Sequence, residues 1–457
     1  MNLASSPWLP VAVLFALSFA GRRLQGNWLA PSVFPGLVLS IYLAVPLVLL
    51  ADRVSALTVW VIVVLVFSAQ FGAMVTEMPQ AVRRARGDTG EGLCTVLSVR
   101  ALTVSLVSSL IAFIGAFIYA VSSLKEFDLS FSVEGFLGLG AILYGIIVGG
   151  EGDPWWFRLT RMWIFPAAFL GGICFAATRS RPQKILSFVW LIPVALVGTT
   201  LGSRYGITLA IACWISAYLA ANVVVKLGSF HLDGRAVATA VLIFAVCTAM
   251  YVSIGITRGH KFGDVEDYGI QLRCSLFGYL PVFENFVRNE STYKRSFGVY
   301  SLSGAFDVLG LSKRVAALSY EPVMLDDGYS SNIFTAFRGL IQDFSLPGAL
   351  LLCIGGGWLA GGAYAKASRG RMSSVPTLAG YYAFVLWSPI VSIFNYNSVW
   401  LGLFVAWWLV KRQATDRSVL YHGLPRLWSG KRREALDLPQ QKESMSRIDR
   451  HTRHKPR

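Results

Sequence analysis

Two arginines stand where the chain passes from polar to apolar sequence. The first belongs to Gly202-Ser203-Arg204, a very short turn between two apolar runs, so a permanent cation opens the second run. An arginine at that depth costs free energy unless it meets water or an anion. A guanidinium offers two parallel donors, and a helix start adds unsatisfied backbone N–H groups; together these suit a phosphate or diphosphate. The same position also suits an arginine that snorkels to interfacial water. The second, Arg338, lies in the stretch from Ser331 to Phe344 ahead of another apolar run. Read as a helix, that stretch lines up Phe334, Phe337, Ile341 and Phe344 on one face and Asn332, Thr335, Arg338 and Gln342 on another, with Asp343 beside them. Such a polar stripe either lies solvated in the membrane interface or points into a site shared with Arg204.

A third group, Arg258 and His260, follows an apolar run and precedes Asp264, Glu266 and Asp267. A lone histidine is more often a polar surface residue than a catalyst. Arg273, Arg288, Arg295 and Arg314 suit phosphate or sugar, or pairing with nearby acids. Aromatic rings beside carboxylates and Asn are what sugar recognition needs, although a folded segment also needs rings for its own core. The six cysteines form no CxxC and no Cys/His cluster, so neither a disulfide framework nor a zinc site follows.

These residues are positioned by a membrane architecture. Of 457 residues, 54% are hydrophobic and 14% charged, against about 25% charged in soluble domains. Runs such as 55–75 and 236–256 are long enough to cross a hydrocarbon core, where only a helix satisfies its own backbone. The expected fold class is all-α, a polytopic transmembrane helical bundle. Spans are expected at about 7–24, 31–51, 55–76, 99–122, 159–177, 184–201, 205–221, 236–256, 346–365, 376–394 and 398–410. The segment 133–149 is apolar but short and Gly-rich. Counting it as a span would flip the Arg83, Arg84, Arg86 loop outward against the charge rule, so it reads as re-entrant or interfacial. Eleven spans with the amino terminus outside result; a twelve-span version with both termini inside is the alternative. No inverted repeat and no matched pair of broken spans is evident, as many transporters would show.

The net charge of +16 is mostly topological, since thirteen of the 41 Lys and Arg residues follow Val410. Basic residues collect on the cytoplasmic side and meet anionic lipid there; no nucleic-acid partner is expected. The chain thus divides into bundle residues 1–256, a large outer loop domain 257–345, final spans 346–410 and a basic cytoplasmic tail 411–457. The loop is rich in rings, among them Tyr268, Phe283, Phe286, Tyr293, Phe297 and Tyr300. Disordered segments are poor in them, so a folded cap is expected.

Gly202-Ser203-Arg204 opening a span, Phe297-Gly298-Val299-Tyr300 in the outer loop, and Asn332-Ile333-Phe334-Thr335 followed by Arg338 and Asp343-Phe344 give a pattern that resembles the bacterial oligosaccharide repeat-unit polymerases, the Wzy-type O-antigen and exopolysaccharide polymerases. The likeness covers most of the chain in layout, and specific residues match mainly from Gly202 to Gly348. The family usually has glycine where this chain has Ser345.

That resemblance implies a multi-pass protein of the bacterial inner membrane, active on its periplasmic face, that moves a growing glycan from undecaprenyl diphosphate to an incoming lipid-linked repeat unit. It implies Arg204, Arg338 and Arg258 at the diphosphate, and Asp343, Glu321 or His260 as base or sugar ligand. Asn332, Thr335, Gln342, Arg288 and Tyr300 become substrate contacts. Diphosphate is already a competent leaving group, so arginines and helix starts suffice for its charge, and no metal or cofactor is expected. Implied partners are the lipid-linked oligosaccharide, the bilayer, and the chain-length regulator and flippase of the same pathway. An O-antigen ligase shares donor and face and differs in acceptor; a lipid-linked oligosaccharide flippase or transporter accounts for the spans but not for the ring-rich loop.

Overall fold

In a computed structural model, residues 6–77, 91–148, 152–227, 273–274, 276–290, 293–311, 323–326, 329–331 and 333–423 are described. They are mostly helical: α1 (Trp8–Gln25), α2 (Phe34–Leu50), α3 (Ala56–Thr76), α4 (Glu91–Glu126), α5 (Val133–Val148), α6 (Trp155–Arg161), α7 (Ile164–Ala177), α8 (Arg181–Leu186), α9 (Leu191–Thr200), α10 (Tyr205–Val225), α11 (Tyr279–Arg288), α12 (Ser303–Val308), a hairpin of β1 (Val323–Asp326) and β2 (Tyr329–Ser331), α13 (Ala336–Ala367), α14 (Val375–Trp387) and α15 (Asn397–Gly423). The strands pair antiparallel with Val323 opposite Ser331. Met1–Val410 forms one compact unit and Lys411–Arg457 another.

Among the described residues, six helical segments are long and apolar enough to cross a membrane: Ala56–Thr76, Leu97–Glu126, Trp155–Ala177, Arg181–Thr200, Tyr205–Val225 and Ala336–Ala367. An all-α polytopic bundle is therefore what the chain builds. Helices α1, α2, α14 and α15 fall on other expected spans; the span at 236–256 and the Arg83–Arg86 loop lie outside the described residues. The middle of α5, at Gly140, backs onto the Thr199 carbonyl where α9 ends.

Glycine sets the closest helix contacts. In the seam between α3 and α13, a Cβ on Gly72, Gly357 or Gly361 would collide with the carbonyls of Ile354, Ala69 or Ala73. Gly357 and Gly361 are a small-xxx-small pair that lets backbones touch where lipid supplies no hydrophobic drive between helices. Because Ala69 meets Gly357 and Ala73 meets Gly361, the two helices run parallel.

Proline sets the breaks, and these are a finding that hydropathy did not reveal. Pro166 has no N–H for the Met162 carbonyl, and the chain turns between α6 and α7 there. Pro193 has none for Val189, and residues 187–191 tighten into bonds such as Val189 N to Leu186 O (3.1 Å) before α9. In α13 the break falls at Ser345 (φ 66°, ψ 169°), two residues before Pro347. The helix begins at Ala336, well inside the stretch expected as loop, so the boundary expected at 345 is a kink within one element.

Candidate functional site

The cap is built on carbonyls that prolines leave open. Pro46 lies inside α2 and cannot bond the Tyr42 carbonyl, which instead accepts from the Tyr279 hydroxyl of α11. Pro347 likewise leaves the Asp343 carbonyl open, and Phe297 N donates to it at 3.3 Å. A second tie of α11 is Glu284, buried at the start of α3, which accepts from Ser55 N (2.9 Å), Ser55 Oγ (2.7 Å) and Arg288 Nε (2.6 Å). Burial acts to raise the Glu284 pKa, but hydrogen bonds from Thr58, Ser55 and Arg288 together outweigh it and hold the carboxyl below its ordinary value. Tyr279, Leu280, Phe283 and Phe286 continue the core of the first helices, while Val282 and Phe334 with Tyr300, Val323 and Leu325 form a small core of the cap's own.

Asp343 is the hub of this cap. Fully buried, its carboxylate accepts from Ser296 Oγ (2.5 Å), Tyr300 N (3.2 and 3.1 Å), Ser301 N (2.8 Å) and Ser301 Oγ (2.6 Å). The turn it gathers needs left-handed backbone at Phe297 (φ 50°) and Gly298 (φ 103°). Ser392 Oγ donates to Ser301 O (2.6 Å), Asn395 Nδ2 to Tyr300 O (2.7 Å) and Asn397 Nδ2 to Asp307 Oδ2 (2.7 Å), so the turn between α14 and α15 closes the other side. Asp343 was expected to act as base or sugar ligand; in the structure its oxygens accept from the chain's own donors.

Arg338 sits three residues into the helix start that Thr335 caps, the Thr335 hydroxyl accepting from Arg338 N at 3.3 Å. Only 6% exposed, its guanidinium lies over the rings of Phe334 (4.0 Å), Phe286 (5.1 Å) and Tyr293 (5.2 Å). A desolvated cation among ring faces interacts with an anion far more strongly than one in water. One turn further on, Gln342 is 7% exposed and its Oε1 is shielded with no hydrogen-bond partner among the described residues.

Arg204 is half-buried at the start of α10, after a turn that Gly202 makes with φ 56°. A Cβ on Gly202 would press on Tyr144 and the Gly140 carbonyl of α5, so no larger residue fits that turn. Next in sequence, the Tyr205 ring lies 4.9 Å from that of Tyr396 and 5.9 Å from that of Trp387. Trp387 ends α14, and the following Ser388 carbonyl accepts from Ala336 N at 2.7 Å. The starts of α10 and α13, and with them the Arg204 and Arg338 backbones, are thus brought to one end of α14.

Of the other expected residues, Thr335 caps the Arg338 helix, Tyr300 is held by its backbone N–H in the clasp that Asp343 forms with residues 296–301, and Arg288 is largely exposed and paired with Glu284. Arg258, His260, Glu321 and Asn332 lie outside the described residues. Glu284, Ser55, Ser296, Ser301, Asn395 and the rings around Arg338 were not singled out as one site, because their partners are tens or hundreds of residues away. No group of three or more His, Cys, Asp and Glu side chains stands together among the described residues. No family model, curated protein or solved structure matches the chain.

Proposed function

We propose that this chain is a membrane glycosyltransferase that polymerises oligosaccharide repeat units carried on undecaprenyl diphosphate at the periplasmic face of the bacterial inner membrane. The observation that carries the reading is the pairing of two arginine-bearing helix starts, α10 and α13, at one end of α14, with the Arg338 guanidinium withdrawn from water among three rings. Transfer of a glycan from this carrier builds charge on a departing diphosphate. Preorganised guanidinium groups and helix N-termini stabilise that charge best in a dry setting. Arg204 and Arg338 take the two phosphoryl groups, with Arg258 in the same anionic region. Thr335 and Asp343 hold the Arg338 helix and the turn against it. The proton of the acceptor hydroxyl goes to His260 or Glu321, the remaining nominees of the sequence. The motif order supports a polymerase over its relatives in mechanism.

Arg204→Ala and Arg338→Ala should each abolish long polymer and leave single repeat units attached, with the protein still present in the membrane. Arg338→Lys keeps the charge without the planar fork and should recover little activity. Normal long chains in both alanine variants would end the proposal. A deletion strain that accumulates unattached lipid-linked polymer would indicate a ligase, and transbilayer movement of labelled carrier without elongation a transporter.

A further inference from the structure

Asp343 and Gln342 are adjacent in sequence and opposite in satisfaction. The first takes hydrogen bonds from Ser296, Tyr300 and Ser301, whereas the second, 93% buried, has a carboxamide oxygen that none of the described donors reaches. Donors are not scarce at this end of α13. Asn395 Nδ2 donates to Tyr300 O, Ser392 Oγ to Ser301 O and Asn397 Nδ2 to Asp307, and none of these bonds goes to Gln342. Other shielded polar atoms occur among the described residues, Gln70 Oε1 for one, so what singles out Gln342 is its place one turn beyond Arg338, where a bound molecule can supply the donor. Methionine, of similar length and volume, would pack here with no polar penalty.

Position narrows what the missing donor is. Gln342 follows Arg338 by four residues, so it lies on the same face of α13 about 6 Å further along the axis. That is the reach from a phosphate to a substituent on the carbon next to the anomeric centre of the sugar it carries.

We propose that Gln342 is a specificity residue whose carboxamide reads the hydroxyl or amide N–H at C2 of the sugar joined directly to the diphosphate; this rests on the reading that Arg338 holds that diphosphate. A carboxamide suits either substituent because it accepts and donates side by side. The sugar is then recognised by its first residue, whatever the rest of the repeat unit carries.

The test uses the purified full-length chain and thermal stabilisation by undecaprenyl diphosphate, bare or bearing glucose, N-acetylglucosamine or 2-deoxyglucose. The wild type should bind the glucose or N-acetylglucosamine form about tenfold more tightly than the 2-deoxy form, the usual discrimination of one hydrogen bond to a buried group. Gln342→Met should lose that preference while keeping its affinity for the bare carrier and an unliganded midpoint at least as high as wild type. Retention of the preference in Gln342→Met, or a wild type indifferent to the C2 substituent, overturns the inference; the second comparison needs no variant and stands even if Gln342→Met folds poorly. Loss of bare-carrier binding is expected in Arg338→Ala, and unchanged binding there would instead bring down the diphosphate reading.

Discussion

The two halves of α13 are held by opposite means. From Ile354 to Gly361 the helix lies against α3 with glycines that leave backbone on backbone, and close fit dominates, with one hydrogen bond across it from Thr76 Oγ1 to Trp358 O (3.0 Å). From Ala336 to Phe344 it is held by oxygens and N–H groups of residues 296–301 and 388, with one carboxylate at the hub. In lipid, apolar side chains gain nothing by leaving tails of equal polarity, so close packing is the drive that remains. At the cap water competes, and a contact lasts only where it is dry or charge-assisted. The seam should therefore fail by volume and the cap by loss of hydrogen-bond partners.

The largest effect is expected in the seam. Gly357→Leu puts a side chain into the Ala69 carbonyl, and relief requires the whole of α3 to move. Overpacking against backbone should cost on the order of 3 kcal/mol or more. Detergent extracts should contain little monodisperse protein, whereas Gly356→Leu, at a position open to space, should behave as wild type. Equal yields from the two variants would break the contrast drawn between the halves of the helix.

Asp343→Ala should come next, at roughly 3 kcal/mol, because it strands the N–H groups of Tyr300 and Ser301 and two serine hydroxyls in a buried place. The consequence should be local: residues 296–307 become cleavable by protease while the seam stays intact. A variant that resists protease like wild type yet makes no polymer would assign Asp343 to the chemistry and not to the clasp.

The difference between the halves also explains what could be read in advance. The apolar runs, the polar stripe through Thr335, Arg338 and Gln342, and the arginine at the start of α10 follow from periodicity and composition, which are local. Asp343 was placed beside the polar stripe but turns toward donors more than forty residues upstream, and Arg338 takes its rings from Phe286 and Tyr293 of the cap. No local pattern encodes such pairings. The helix breaks before Pro166, Pro193 and Pro347 were legible in principle, since each proline names the carbonyl it abandons four residues back. Hydropathy does not register hydrogen bonds, so the spans 159–177 and 184–201 read as continuous and the kink at Ser345 read as the start of a span. The same rule marks Tyr42 and Asp343 as carbonyls open to the cap.

A smaller effect should appear with pH. Glu284 has a folded pKa below its unfolded value of about 4.3, so its contribution is complete above that value and is lost as pH falls through the folded one. Cap protection in hydrogen exchange should therefore be constant above about pH 5 and decline below about pH 4.3. Glu284→Gln should show weaker protection at neutral pH and no decline in that window. The seam should show no such change in either protein, and an equal loss in both halves would mean that they do not respond separately.

The smallest effect is expected where the halves join. Ser345 carries φ 66° and ψ 169°, a region that is essentially glycine's own, and side chains held there cost roughly 1–3 kcal/mol. Its hydroxyl donates to the adjacent Phe344 carbonyl, which offsets part of that. Ser345→Gly removes the Cβ conflict and adds about 1 kcal/mol of unfolded-state entropy, so a net gain of about 1 kcal/mol is expected, read as a rise in the thermal midpoint. Ser345→Ala keeps the conflict without the hydroxyl and should lower the midpoint instead. If glycine also lowered it, the serine hydroxyl would be doing more for the kink than the strain takes away, and the join between seam and clasp would count as a polar contact like those of the cap.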